Sequence, residues 1–342
     1  MRTKHRKIID LRSDTVTTPT PDMLVAMSEA SVGDDVYGED PTVNELEQYA
    51  AKKLGFEAAL FATSGTQTNL LALFAHCQRG DEYIVGQQAH TYKYEGGGAA
   101  VLGSIQPQPL EVRADGTMSL QRIEDAIKPD DIHFAKTRLI VLENTFAGRA
   151  LPMDHLAAMR ELVDSRNLGL HLDGARVFNA AVYHGVDVRE ITRYFDSVSV
   201  CLSKGLCAPV GSVLCGSAEL VADARRWRKM LGGGMRQAGY IAAAGIVALR
   251  DNVTRLQTDH NHAAKLYDGL KDIDALNLTA DCVKTNMVFV NCGREVSIAL
   301  AEWLAGKDII VAPAAVMRLV LHKDIGSRDV TRVYNAFNEY FS

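Results

Sequence analysis

The sequence has no excess of basic residues. Lys and Arg total 37 against 42 Asp and Glu, a net charge of −5, and the basic stripe of a nucleic-acid binder is missing. No apolar run is long enough to span a bilayer. The opening residues, "MRTKHRKIID", are basic but lack the apolar stretch of a signal peptide. The six cysteines form no C-x-x-C pair. Spread over this length they read as free core thiols of a cytoplasmic protein, and no metal site is expected. Neither G-x-G-x-x-G nor G-x-x-x-x-G-K-[ST] occurs, which disfavours a dinucleotide or nucleoside triphosphate. There is no internal repeat and no low-complexity linker.

What is present is a large apolar fraction, 47% of 342 residues, enough for two domains or one large domain with an appendage. "EAALFATSG" (57–65), "EYIVG" (82–86), "RLIVLENT" (138–145), "LGLHLDGA" (168–175), "DSVSVCLS" (196–203) and "GSVLCG" (211–216) read as buried strands. Helical stretches such as "PTVNELEQYAAKKLG" (41–55), "TQTNLLALFAHCQRG" (66–80) and "PMDHLAAMRELVDSRN" (152–167) separate several of them. This alternation predicts an α/β large domain with a mostly parallel sheet flanked by helices. From about residue 235 two long helices, short strands and a last helix after Gly326 predict a smaller α+β C-terminal domain. The boundary is placed at 250, giving domains 1–250 and 251–342.

A lysine closes one apolar strand. In "SVSVCLSKGLCAPVGSVLCG" (197–216), Lys204 follows alternating residues and meets Gly205. A half-buried lysine is costly unless neutralised or used. It either reaches water at a strand end or loses its proton to form a Schiff base. "HLDGAR" (171–176) ends the preceding candidate strand on Asp173. Parallel sheets bind ligands at the carboxyl ends of their strands. Asp173 there is either a structural cap or the partner of a protonated ring nitrogen. The pair changes the balance, because an aspartate for a pyridinium and a lysine for a Schiff base are what pyridoxal phosphate chemistry needs most.

Other stretches are weaker alone. In "TSGTQTN" (63–69), Ser64, Gly65 and Thr66 make either an ordinary helix N-cap or a phosphate cradle. "QQAHTYKYEGGGAA" (87–100) offers His90, Tyr92 and Tyr94, and a histidine beside a planar cofactor can stack on it. In "MLGGGMRQAGY" (230–240) the glycine run lies between Lys229 and Arg236, either a flexible loop or basic groups reaching a phosphate. "DHNH" (259–262) sets its histidines two apart on a helix, facing different ways.

Together these segments resemble the low-specificity L-threonine aldolases, pyridoxal-phosphate enzymes of the aspartate-aminotransferase-like class. "DLRSDTVT", "GDDVYGEDPTV", "SGTQTNL", "GGGAAVLGSIQPQP", "LENT", "HLDGAR", "SVCLSKGL", "PVGSVLCG" and "RWRKMLGGGMRQAG" carry the resemblance in order, from about residue 8 to about 320. It implies that Lys204 carries the cofactor, Asp173 binds the pyridinium and Arg176 contacts the phenolic oxygen and the substrate carboxylate. It implies that His90 stacks on the ring, and that Gly65, Thr66 and Ser203 line the phosphate region with Lys229 and Arg236 from a neighbouring subunit. Ser13, Tyr37, Tyr94 and Arg318 fall around the substrate, Ser13 and Arg318 on its carboxylate. His133, in "DDIHFAKT", matches a histidine near the substrate hydroxyl; His90 and His133 are the candidate bases. The implied assembly is a homotetramer built from dimers with shared sites. The implied reaction is retro-aldol cleavage of threonine-type β-hydroxy-α-amino acids to glycine and an aldehyde. Hydroxymethyl transfer, β-elimination or racemisation on the same frame is the alternative. One departure stands out: the family usually continues "ENT" with His-Asn, and here Phe146 and Ala147 follow. If position 146 faces the substrate's β-substituent, Phe146 makes that side more apolar.

Overall fold

The computed structural model describes residues 7–342; the first six residues of the basic N-terminal stretch lie outside the described residues. Two compact units divide the chain, Pro19–Val253 and a second made of residues up to Thr18 with Thr254–Ser342. Along the chain, β1 (Ile9–Asp10) precedes α1 (Pro21–Glu29) and α2 (Pro41–Leu54). The larger unit continues through β2 (Ala58–Ala62), α3 (Gly65–His76), β3 (Asp81–Gly86), α4 (His90–Lys93), α5 (Gly98–Gly103) and β4 (Gln106–Leu110). Next come α6 (Leu120–Ala126), β5 (Lys136–Glu143), α7 (Met153–Ser165), β6 (Gly169–Asp173), α8 (Val177–His184) and α9 (Arg189–Thr192). The unit closes with β7 (Ser197–Cys201), β8 (Ser212–Gly216), α10 (Ala218–Met230) and α11 (Gly239–Asp251).

These strands form one seven-stranded sheet in the order β2-β8-β7-β6-β5-β3-β4. β8 runs antiparallel to both neighbours and the other pairings are parallel. Every residue of β7 and β8 is buried, Ser197, Ser199 and Ser212 included, as strands covered on both faces require. β4 carries no buried-strand signal. Its sequence is "QPQPL", and the sequence reading assigns it no strand. β4 is the edge strand, paired with β3 alone, and proline is tolerated on an edge because no further ladder needs its missing N–H.

The loop before α2 is held by Asp40. It caps the helix by accepting from the Thr42 and Val43 amides and also accepts from the amide of Gly239, the first residue of α11. A Cβ on Gly239 would come within 2.5 Å of that carboxylate, so the close approach requires glycine. No helix among the described residues is long and apolar enough to cross a membrane.

In the second unit α12 (Leu256–Leu270) leads to β9 (Val283–Lys284), β10 (Met287–Asn291), α13 (Arg294–Ala305), β11 (Ile309–Ile310), β12 (Val316–Val320) and α14 (Ser327–Phe341). β12-β10-β9 form an antiparallel sheet and β1 pairs in parallel with β11. The N-terminal segment, grouped by the sequence reading with the larger domain, therefore packs here: Ile9 and Leu11 join Leu266, Leu300, Leu319 and Phe337 in one buried apolar cluster. A two-residue strand has no pattern that names its partner.

The departure at 146–147 has a definite geometry. Phe146 and Arg149 exchange both backbone hydrogen bonds, at 2.9 and 2.8 Å, across a two-residue turn. Both central residues have positive φ, Ala147 at 45° and Gly148 at 80°. That is the demand of a type I′ turn, whose preferred pair is Asn-Gly. Phe146 itself packs against the buried cluster that includes Tyr83, Val85, Ala89 and Val141, so its ring is engaged in packing. Ala147 is exposed and gains nothing from its left-handed conformation, which costs an L-residue roughly 1 kcal/mol. Ala147→Asn is expected to raise the denaturation midpoint by the equivalent of about 0.5–1 kcal/mol. A midpoint unchanged or lowered in chemical denaturation would contradict this account of the turn.

Candidate active site

Three polar side chains stand at the carboxyl ends of adjacent parallel strands. Glu143 ends β5 and pairs in register with Asp173 at the end of β6, and Asp173 in turn pairs with Ser199 of β7. Lys204 lies just beyond the end of β7, in a turn closed by the Cys207 amide on the Lys204 carbonyl at 2.9 Å. After Asp173 the chain must turn sharply. Gly174 donates to the Ser199 carbonyl at 2.9 Å, and a Cβ on Gly174 would sit 2.9 Å from that same oxygen. The glycine of "HLDGAR" is thus a steric requirement of seating the turn against β7.

Helix α3 begins beside this edge. Ser64 caps it, accepting from the Gln67 amide at 3.2 Å. The amides of Gly65 and Thr66 open the helix and have no acceptor within it, so they present the positive end of the helix dipole. A Cβ on Gly65 would come 2.5 Å from Cys201 Sγ, so this N-terminus is drawn tightly onto the end of β7.

Further along α3, Asn69 is buried among leucines, with 2% of its surface exposed. Its Nδ2 donates to Glu95 Oε1 at 2.8 Å and to Asp173 Oδ2 at 2.9 Å. Asp173 Oδ1 accepts from the Ala175 amide at 3.1 Å. Behind Asn69, His171 bonds Ser197 Oγ at 2.8 Å, and Ser197 bonds His76 at 2.7 Å. Burial pushes the His171 imidazole down to about 3 and His76 down to about 4, so both are neutral at pH 7.

His90 starts α4 facing the same cluster. Its amide donates to Glu143 Oε2 at 2.7 Å and its Nδ1 lies 2.8 Å from Glu95 Oε1. The hydrogen bond that Glu95 accepts from His90 raises the proton affinity of the imidazole, helped by the negative charge of Asp173 and opposed by burial and Lys204. Burial raises Glu95. It also pushes Glu143 up to about 7, with repulsion from Asp173 adding to the effect. Ligand atoms of His90, Glu95 and Asp173 lie within 4.8 Å of one another, a spacing that could hold an ion. Those atoms are already tied together through Asn69 and the His90–Glu95 bond.

The remaining expected site residues divide into groups. Ser203 and Arg176 are half-buried and adjoin this edge, Arg176 capping α8 three residues after Asp173. Tyr94 is exposed, its ring centroid 5.9 Å from that of His90. Tyr37 is exposed too. Lys229 lines an outward cavity of about 270 Å³ with Arg225, Arg226 and Val36, and Arg236 pairs with Asp34 at 2.8 Å. In the other unit, Ser13 accepts from the Thr15 amide and hydroxyl, and Arg318 donates to the neighbouring Arg12 carbonyl at 3.3 Å. His133 does not join the cluster within this chain. It precedes β5, at the end of the strand opposite Glu143, is 76% exposed and bonds Asp131. Its loop leaves from the amino end of a parallel strand, and the eight residues of β5 separate the two ends by roughly 25 Å.

The chain is similar to known proteins in sequence and in fold. The family described as beta-eliminating lyase matches residues 10–293. A low specificity L-threonine aldolase of Escherichia coli (strain K12) is 54% identical over 326 residues, covering 95% of this chain and 97% of the relative. The chain belongs to the low-specificity L-threonine aldolases of the beta-eliminating lyase family. Among solved structures, a Leishmania major threonine aldolase superposes with a TM-score of 0.83 at 21% identity, covering 98% of this chain and 100% of the other. An SPT structure with PLP gives 0.77 at 16% identity, covering 98% and 88%. These two structural likenesses speak for the fold.

Asn69, Glu95 and Glu143 lie within the segments considered from sequence, but none of those motifs marks them as site residues. Asn69 has a usable signal, an amide one residue before a Leu-Leu pair in an apolar helix. Glu95 and Glu143 have none, because a glutamate in a loop or at a strand end is usually solvated.

Proposed function

We propose that the chain uses pyridoxal 5'-phosphate to cleave the Cα–Cβ bond of L-threonine, L-allo-threonine and related β-hydroxy-α-amino acids, giving glycine and an aldehyde. It is a carbon–carbon lyase. The observation that carries this reading is the placement of Lys204 and Asp173 at the carboxyl ends of neighbouring parallel strands, beside the open N-terminus of α3. The residues fit the cofactor. Lys204 suits its aldehyde and Asp173 its ring nitrogen. The amides of Gly65 and Thr66, with Ser64 and Ser203, suit its phosphate. When bound, the cofactor supplies an electron sink for the carbanion left at Cα.

The chain's own residues supply the rest. Asp173, held by Asn69 and the Ala175 amide, presents a fixed carboxylate to the ring nitrogen and keeps a proton there. Arg176 would bind the substrate carboxylate and so fix the orientation of the substrate about Cα. Ser13 and Arg318, neighbours in their own unit, offer a hydroxyl and a guanidinium of the right chemistry for a carboxylate, and Tyr37 and Tyr94 are the further candidates for substrate contact. His90 would stack on the cofactor ring; with Nδ1 turned to Glu95, its Nε2 is the atom left to accept the β-hydroxyl proton. His133, outside the cluster in this chain, is the second candidate for that proton.

The assembly we propose is a homotetramer of dimers with shared sites, in the cytoplasm, where the six free thiols would stay reduced. Lys229 and Arg236 then serve a neighbouring subunit's phosphate. Mixing Lys204→Ala with Arg236→Ala subunits is expected to restore part of the lost activity in verified mixed oligomers, and no recovery there would count against sharing.

Product analysis tests the reaction. Incubation with L-threonine, L-allo-threonine and phenylserine is expected to yield glycine with the matching aldehyde. A keto acid or a D-amino acid as the main product would replace this reading by elimination or racemisation.

A further inference from the structure

Asn69 stands between the two halves of the active site. Its amide nitrogen has two N–H groups, and each is committed: one to Glu95, one to Asp173, at 2.8 and 2.9 Å. Both carboxylates are buried, with 3% of Asp173 and 7% of Glu95 exposed. The two carboxylate acceptors fix the amide orientation. Behind it, Asn69 Oδ1 faces His171 Nε2 at 3.4 Å, with Ser199 Oγ 3.5 Å from the same nitrogen. The variable proton lies on the other side, in the His90–Glu95 pair. The groups facing His90 are Glu95 from the loop after α4, Glu143 from β5, Asp173 from β6, Lys204 from beyond β7, and Tyr94 on its own element.

We propose that Asn69 and Glu95 are positioning residues that join the Asp173 carboxylate and the His90 imidazole into one hydrogen-bonded unit, so that the state of one sets the proton affinity of the other. This rests on the aldolase reading for its purpose. The base that takes the β-hydroxyl proton must be neutral before the reaction and cationic after it, and Glu95 stabilises the cationic form. Asn69 limits that effect. By donating to Glu95 it draws off part of the carboxylate's basicity, and by donating to Asp173 as well it lets two buried anions stand close together. Glu95 Oε2 has no hydrogen-bond partner among the described residues; Oε1 carries both the Asn69 and the His90 bonds, and the two compete there directly.

The competition predicts shifts of opposite sign. In the holoenzyme labelled with ¹³C-histidine, with the His90 resonance assigned by its loss in His90→Asn, the pH titration of His90 is the readout. Glu95→Gln removes the anion, and the His90 pKa is expected to fall by about 1 unit or more. Asn69→Leu leaves the carboxylate unshared, and the His90 pKa is expected to rise. The acid limb of kcat/KM should move the same way in each variant. A purely structural role would lower stability without moving these values in opposite directions. Glu95→Gln preserves size and keeps the test decisive if Asn69→Leu does not fold. A His90 titration unmoved in Glu95→Gln, or moved the same way in both variants, overturns the proposal. The titration needs no turnover, so failure of wild-type protein to make glycine would sink the aldolase reading independently.

Discussion

Lys204→Ala is expected to abolish turnover, with a loss of at least about 10²–10⁴-fold, because it removes both the covalent anchor of the cofactor and a proton carrier beside Cα. Cofactor should still bind weakly, since the α3 amides and Asp173 remain. The same assignment predicts the outcome of borohydride reduction of the wild-type holoenzyme: peptide mapping should find the cofactor on the peptide that contains Lys204. A label on any other lysine, with Lys204 unmodified, would sink the assignment. Lys204 is half-buried, and its charge acts on both His90 and Glu143, so it belongs to the same cluster as they do.

Asp173→Asn should lose most activity while still binding cofactor, because an amide cannot stabilise the positive charge of a protonated ring nitrogen. The hydrogen bonds add a second effect. Both carboxylate oxygens of Asp173 face N–H donors, Asn69 Nδ2 at 2.9 Å and the Ala175 amide at 3.1 Å. An asparagine has one acceptor and one donor group, so either orientation points N–H at N–H. A buried donor without an acceptor costs about 1–3 kcal/mol, and the variant should also unfold at lower denaturant than wild type. Near-wild-type activity would show that Asp173 is only a cap; lost activity with unchanged stability would show that the donors around it rearrange freely.

The two predictions draw on different sources. Lys204 and Asp173 could be read as a pair from the sequence, because each closes a run of buried strand residues and the chemistry that needs both is narrow. Strands β2, β3, β5, β6, β7 and β8 could be read for a related reason: they are covered on both faces, so their composition is extreme. β4 could not, because an edge strand is free to carry Pro107 and Pro109. Nor could the pairing of β1 with β11, two strands of two residues each, which moves the N-terminal segment from one unit to the other.

Ala147 illustrates the same limit on a smaller scale. As letters, "FAGR" marks only a departure from the family pattern; the positive φ at Ala147 and Gly148 makes it a type I′ turn with the wrong first residue. The sequence alone determined the α/β class and the cofactor chemistry and singled out Lys204 and Asp173 as the candidate pair, because those follow from residue type and order along single strands. Only the tertiary structure decided that Asn69, Glu95 and Glu143 converge on His90 and Asp173, and that within this chain His133 does not. Those five convergent residues come from α3, the start of α4 and the loop after it, and the ends of β5 and β6. Convergence of that kind is fixed by strand order and helix placement, which no local pattern of residues encodes.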